Sequence, residues 1–466
     1  MTHEPRNVAR PASRRLVRSH SSPSARALAT SARTLFGTDG VRGRVGENLT
    51  AELALSIGRA GTAALAKERP QVLIIRDTRE SGPMLEAALA AGITEAGGDV
   101  LLGGVLPTPA AALICRKYGL DMAAVVSASH NPYWDNGIKL FGGDGGKLDD
   151  ETEAGLEALI ADPLPPAEHQ GRITELRAAE QDYLRGLREA FRLDLSGLKV
   201  VLDCANGATY RVAKEIYTQL GAEVDLMANQ PDGRNINREC GSTDLGPLGR
   251  RVAESDATIG FAFDGDGDRM LAVDGEGVMH DGDELISLIA AHRKGNGTLN
   301  GGVAVTVMTN YGFHNAMKDA GVEVEVTNVG DRYVLEALRN TGWTLGGEQS
   351  GHIISTDYAP TGDGIAASLM VLEALAGRDL AEASVMRKLP QTLVNVTVAD
   401  RGAIAGATAV WEAVDRVNQE MEGKGRVLVR ASGTEPLVRV MVEAPTQGEA
   451  ETICSELVDL VKADLG

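Results

Sequence analysis

No stretch of the 466-residue chain reaches the roughly 18 consecutive apolar residues that a membrane span requires. A spanning helix is excluded, and no membrane partner is expected. Cysteine is scarce. Cys115, Cys204, Cys240 and Cys454 are scattered, with no C-x-x-C spacing. That argues against a cysteine zinc site or a disulfide framework and suits a reducing cytosol, so a cytoplasmic protein is predicted. Positive charge is short as well. The formal net charge of -19 argues against a nucleic-acid binder. It would also repel an anionic substrate at long range, so any phosphate site has to be made locally, by arginines and backbone amides.

Residues 1–33 run against this balance, with seven arginines and a single acid, Glu4. Serine is frequent there and apolar periodicity is missing. The composition fits a disordered basic tail, an organelle transit peptide or a start codon assigned too early. From Thr34 the chain becomes globular, and its length suits about three or four domains. A unit then repeats. Val72–Arg76, Lys199–Asp203 and Val303–Val307 read as strands. Each is followed by a helical stretch and then by a Gly-x-acid-Val strand, at Gly97, Gly221 and Gly321. A third strand closes each copy, at Met122–Val126, Thr258–Phe263 and Trp343–Leu345. The expected fold class is therefore α/β, with three repeated α/β domains of mostly parallel, mixed sheets. After about residue 390 a smaller C-terminal α+β domain follows. The expected divisions are a tail over 1–33 and domains over 34–178, 179–278, 279–389 and 390–466.

The segment after each third strand carries the chemistry. The first is Ser127-Ala-Ser129-His130-Asn-Pro132, with Lys139 ten residues past Ser129. A loop at the carboxyl end of a strand is where open α/β sheets bind ligands. Ser129 is a candidate nucleophile there, or a plain capping serine. The second carries Asp264, Asp266 and Asp268, separated by glycines. Three such carboxylates repel one another unless a cation lies among them. An EF-hand is excluded, because Arg269 and Gly275 stand where it needs glycine and glutamate. Mg²⁺ held by hard oxygens fits, and a polar Asp-Gly hairpin turn is the alternative. The third holds Glu348 and Ser350 between glycines, suited to sugar hydroxyls or to a plain Gly-rich turn, then His352, a candidate acid or base or a structural histidine. Arg430-Ala-Ser432-Gly433-Thr434, with Arg439 beyond, offers the donors of a phosphate nest or forms an ordinary turn. Arg42, in Thr38–Gly43, could also reach a phosphate, though the glycines on each side of Val-Arg suit a plain loop as well. A serine nucleophile, an acid cluster, a diol loop and a phosphate anchor together describe phosphoryl transfer on a phosphosugar.

From Thr34 onward, these motifs in this order resemble the α-D-phosphohexomutase superfamily, and within it the glucosamine branch. The resemblance implies four domains in a heart shape around one central cleft. It implies a phosphorylated Ser129 that joins Asp264, Asp266 and Asp268 in holding one Mg²⁺. Arg42 and His130 would flank the phosphoserine, and Lys139 and His352 would assist proton transfer. Glu348 and Ser350 would hold the sugar. Arg430, Ser432, Gly433, Thr434 and Arg439 would hold the non-reacting phosphate. The implied reaction interconverts glucosamine 6-phosphate and glucosamine 1-phosphate through glucosamine 1,6-bisphosphate, feeding UDP-N-acetylglucosamine synthesis. Gln349 and the 231–243 stretch resemble that branch; the phosphomannomutase/phosphoglucomutase branch is the alternative, and a non-catalytic phosphosugar-binding relative the more distant one. The resemblance leaves room for a homodimer.

Overall fold

The computed structural model describes residues 35–37, 39–162, 165–432 and 436–465. The expected tail, Thr38 and the Gly433–Glu435 part of the expected phosphate loop lie outside the described residues. No helix among the described residues is long and apolar enough to cross a membrane.

Three mixed sheets share one strand order. In the first copy, Gln71–Arg76 pairs in parallel with Asp99–Val105 on one side and Met122–Val126 on the other. Met122–Val126 then pairs antiparallel with Asp135–Gly142. The second copy repeats this with Lys199–Asp203, Glu223–Met227, Ile259–Phe263 and the antiparallel Met270–Asp274. The third does so with Val303–Thr306, Val324–Thr327, Leu345–Gly347 and the antiparallel Ile353–Ser355. Two short strands, Val41–Arg44 and Ile173–Glu175, extend the first sheet at its edges.

The third strands form because both of their faces are covered. Every residue of Met122–Val126 is buried, and so is every residue of Ile259–Phe263. A strand buried on both faces reads as a continuous apolar run, not as an alternation. One expectation needs correction. The third strand of the third copy begins at Leu345. Gly342 ends the preceding helix in the left-handed region, and Trp343 lies over Gly301 and Gly302 instead of joining the sheet. The fourth, antiparallel strand of each copy was not foreseen at all.

The C-terminal unit is antiparallel throughout, with Leu437–Glu443 between Gln391–Thr397 and Arg426–Ala431. Helices Thr408–Glu420 and Gln447–Leu465 cover this sheet. Its buried apolar residues form a core of their own, from Val396 to Val461. A different contiguous core runs through parts of all three copies, from Leu73 to Met386.

Candidate active site

Each candidate loop turns out to be the connection of a β-hairpin. The closing register pairs are Val126 with Ile138, Phe263 with Met270, and Gly347 with Ile353. Equivalent hairpins at the carboxyl ends of parallel strands place the three loops at equivalent positions. The acid loop is thus an Asp-Gly hairpin that also clusters its three carboxylates.

Ser129 is fully buried and lies in the left-handed region at φ 51°. Its Oγ donates to Asp264 Oδ2 at 2.5 Å and lies 3.3 Å from His130 Nδ1. That Nδ1 is also 3.0 Å from an Arg269 NH group. Arg269 cannot accept, so the proton of the neutral imidazole is on Nε2. Burial, then Arg269 and Arg42, push the His130 pKa down to about 4. His130 is therefore a neutral ring beside the serine at physiological pH.

The carboxylates of Asp264, Asp266 and Asp268 each offer one oxygen, all within 4.8 Å of one another. Gly265 is needed for more than the turn. A Cβ there would lie 2.5 Å from the Ser129 carbonyl oxygen, so only glycine lets the acid loop seat against the serine loop. Asp266 Oδ1 and Asp268 Oδ1 are buried with no hydrogen-bond partner. Buried anionic oxygens without donors are costly, and these two beside an Asp264 carboxylate oxygen make the donor set a hard divalent cation takes. The residues fit Mg²⁺. Burial, then Asp268 and Asp266, raise the Asp264 carboxyl well above the usual range. Burial acts the same way on Asp268, but Lys139 and His352 hold it well below.

The countercharge comes from a chain of buried ions. Lys139, on the strand Asp135–Gly142, pairs with Asp266 at 2.8 Å, Asp39 at 2.9 Å and Asp268 at 3.5 Å. Burial disfavours its charge, yet Asp266, Asp39 and Asp268 raise its pKa. As placed, Lys139 is a fixed cation, and it becomes a base only if those carboxylates are drawn elsewhere. Lys147 bridges Asp39 to Asp331, and Arg42 also donates to Asp39. His352 lies between Asp268 at 3.7 Å and Asp331 at 3.6 Å. Both are too long for hydrogen bonds and become ion pairs only on a protonated ring, while the Gly362 N–H donates to His352 Nε2 at 3.2 Å. Burial opposes its protonation, while Asp268 and Asp331 raise its pKa.

Glu348 Oε1 accepts the Gly330 N–H at 3.0 Å, and Ser350 is exposed. The Gln349 side chain turns to Asp281 Oδ2 at 3.2 Å. Asp281 caps the helix Gly282–Gly295, so Gln349 ties the sugar loop to that cap. Arg430 and Arg439 stand on the C-terminal sheet as direct cross-strand partners. Burial and Arg439 lower the Arg430 pKa. Two guanidiniums face to face repel unless an anion lies between them. Ser432 is buried, its N–H on the Leu437 carbonyl at 2.9 Å; Gly433 and Thr434 lie outside the described residues.

The structure thus gathers Ser129, His130, Lys139, Arg42, His352 and the three aspartates into one cluster, and sets Arg430 and Arg439 on another unit. Sequence reasoning missed Asp39, Lys147, Arg269 and Asp331. Asp39 stood in a motif already singled out. Asp331 had only the glycine before it as a signal.

Four family models match consecutive stretches. Phosphoglucomutase/phosphomannomutase alpha/beta/alpha domains I, II and III match residues 33–164, 181–277 and 281–393, and the C-terminal domain matches 393–460. The chain is 49% identical over 434 residues to a phosphoglucosamine mutase of Moorella thermoacetica, covering 91% of this chain and 98% of that relative. A phosphoglucomutase/phosphomannomutase family protein from Burkholderia thailandensis is similar at a TM-score of 0.79 and 27% identity, over 92% and 97% of the two chains. Aspergillus fumigatus N-acetylphosphoglucosamine mutase, solved with GlcNAc-6P and magnesium, shares the fold at a TM-score of 0.66 and 20% identity, over 93% and 96%.

Proposed function

Because the chain belongs to the phosphoglucomutase/phosphomannomutase family of isomerases, we propose that it interconverts glucosamine 6-phosphate and glucosamine 1-phosphate through a phosphorylated Ser129. The observation that carries the chemistry is the buried Ser129 hydroxyl, bonded to one member of a buried three-aspartate cluster. The choice of sugar rests on identity near one half to phosphoglucosamine mutases along most of the chain.

In the reaction as we read it, the phosphoserine O–P bond breaks and a sugar hydroxyl forms the new O–P bond. The hydroxyl proton leaves to a base, for which His352 is our assignment, with Lys139 assisting. The resulting glucosamine 1,6-bisphosphate turns around and returns its other phosphoryl group to Ser129. Mg²⁺, when bound by Asp264, Asp266, Asp268 and the phosphoserine, would offset charge on the moving group. Arg42, His130 and Arg269 give the serine phosphate a cationic and neutral surround. Glu348 and Ser350 are assigned to sugar hydroxyls. Arg430, Ser432, Gly433, Thr434 and Arg439 are assigned to the other phosphate. We assign one such loop to each of four domains, over 34–178, 179–278, 279–389 and 390–466. The proposed compartment is the cytoplasm, in keeping with four buried free cysteines.

The test is a side-by-side assay of the 6-phosphates of glucosamine, glucose and mannose, each primed with its bisphosphate. Glucosamine 6-phosphate should lead in kcat/KM by about 10–100-fold, as one additional polar contact at C2 supplies. Equal or better turnover of the other two would move the chain to the phosphomannomutase/phosphoglucomutase branch.

A further inference from the structure

We infer that Arg79 is the positioning residue of Ser129, holding the serine loop in the conformation that brings its hydroxyl to the acid cluster. The inference rests on the phosphoserine reading above. Arg79 is fully buried, where arginine is rarely found without a task. Its Nε pairs with Asp77 at 2.8 Å. Its two terminal nitrogens divide four backbone carbonyls of one loop between them. One donates to Ser129 at 2.8 Å and Asn131 at 2.9 Å, the other to Pro132 at 2.5 Å and Asp135 at 3.0 Å. The guanidinium is what joins all four; Asn237 also reaches the Ser129 and Asn131 carbonyls, and the Asp135 N–H reaches that of Pro132 at 3.1 Å. Only a guanidinium carries that many donors in a fixed fork.

The amide side of Ser129 is tied to the same ion pair. Asp77 Oδ2 accepts from Ser127 Oγ at 2.6 Å, and that Oγ accepts the Ser129 N–H at 2.9 Å. A third tie comes from the second copy, where Asn237 Nδ2 donates to the Ser129 carbonyl at 2.9 Å and the Asn131 carbonyl at 3.2 Å. Both polar backbone groups of Ser129 are therefore held. The residue they hold is a non-glycine in the left-handed region, a conformation that persists only when its surroundings enforce it. Arg79 bonds only to the loop backbone and Asp77 and assists no proton transfer. Its effect on the reaction passes through where Ser129 Oγ lies, and a displacement of about 1 Å costs on the order of 100-fold in rate.

The experiment compares the wild type with Arg79→Met, Arg79→Lys, Ser127→Ala and Asn237→Ala. Each protein is dephosphorylated and then exposed to glucose 1,6-bisphosphate. Phosphate on Ser129 is followed by intact mass and peptide mapping, beside kcat and KM for glucosamine 6-phosphate and a thermal melt. Arg79→Met should take up phosphate and turn over about 100-fold more slowly, with KM changed less than about threefold, because the sugar and anchor loops are untouched. Arg79→Lys should recover part of that loss, and Ser127→Ala and Asn237→Ala should each lose about tenfold. A wild type that takes no phosphate on Ser129 ends the phosphoserine reading and this role with it. A wild type that does, beside a folded Arg79→Met that phosphorylates and turns over as fast, ends the positioning role alone. A lower melting temperature with unchanged rates would make Arg79 structural and overturn the inference. Should Arg79→Met fail to fold, Ser127→Ala and Asn237→Ala decide, and wild-type rates in both overturn it.

Discussion

Asp266 shows how a single residue divides its work. One oxygen accepts from Thr108 Oγ1 at 2.6 Å and from Lys139 at 2.8 Å. The other is buried with no hydrogen-bond partner. Asp266→Asn removes one of three mutually repelling carboxylates, and it also removes one of Lys139's counterions. Lys139 keeps Asp39 and Asp268, so the two effects largely offset in the metal-free protein. The melting temperature in a chelator should therefore stay within about 3 °C of wild type. Turnover should fall about 100-fold or more, because metal charge stabilisation supplies several kcal/mol. Calorimetric titration with Mg²⁺ should show at least a tenfold weaker site, since one of its anionic ligands is gone. An early melt with unchanged Mg²⁺ affinity would contradict the assignment. The acids and Ser129 were legible because each sits in a short motif whose chemistry is local. Asp39, Lys147 and Asp331 are ordinary residues in sequence. Only the fold brings them within reach of Lys139 and His352.

Among the elements, three of the strands that escaped the sequence reading return from the site loops. Asp135–Gly142 carries Asn136 and Lys139, both fully or almost fully buried. A buried strand with polar residues has neither the apolar run nor the alternation that marks a strand. The polar residues are there because the strand lines the site, so function hides the element. His280 makes a second element-scale case. It lies on the short strand Met279–His280, its rings' nitrogens 3.1 Å from Asp274 on the neighbouring strand and 3.2 Å from Glu284 on the next helix. Burial lowers its pKa, but the bonds to Glu284 and Asp274 outweigh that and raise it above 6.5. A raised folded-state value means stability that is complete below pH 6.5 and lost as pH climbs through the folded-state pKa. The wild type should lose more melting temperature than His280→Gln between pH 6 and pH 9. The bonds at stake, made to charged groups, are worth on the order of 2 kcal/mol. Parallel pH profiles for the two proteins would show that His280 is not the titrating joint.

At the scale of the molecule, the division of the core sets what can move. The C-terminal unit has its own buried cluster and meets the third copy through a polar joint. Buried Glu443 accepts the Tyr311 N–H at the start of the helix Tyr311–Asp319, and Arg426 binds both Glu443 and the Thr309 carbonyl. Asn310 caps that helix and pairs with both backbone groups of Leu389 on the connecting segment. A joint of a few hydrogen bonds between separate cores is where relative motion is expected. Under the proposed anchor role, phosphate bound by Arg430 and Arg439 would supply the drive. The two arginines are cross-strand partners, and a phosphate held by both would tie the unit to the substrate. The unit should therefore close over bound substrate, and the radius of gyration from solution scattering should fall on adding glucosamine 6-phosphate to the wild type. Arg430→Ala should abolish that contraction. It should raise KM about 10–100-fold, the worth of one or two charge-assisted hydrogen bonds. The serine and acid loops are untouched, so kcat should change far less than KM. Identical scattering with and without substrate in the wild type would remove the closure. A wild-type KM in Arg430→Ala would instead take the phosphate away from this pair of arginines.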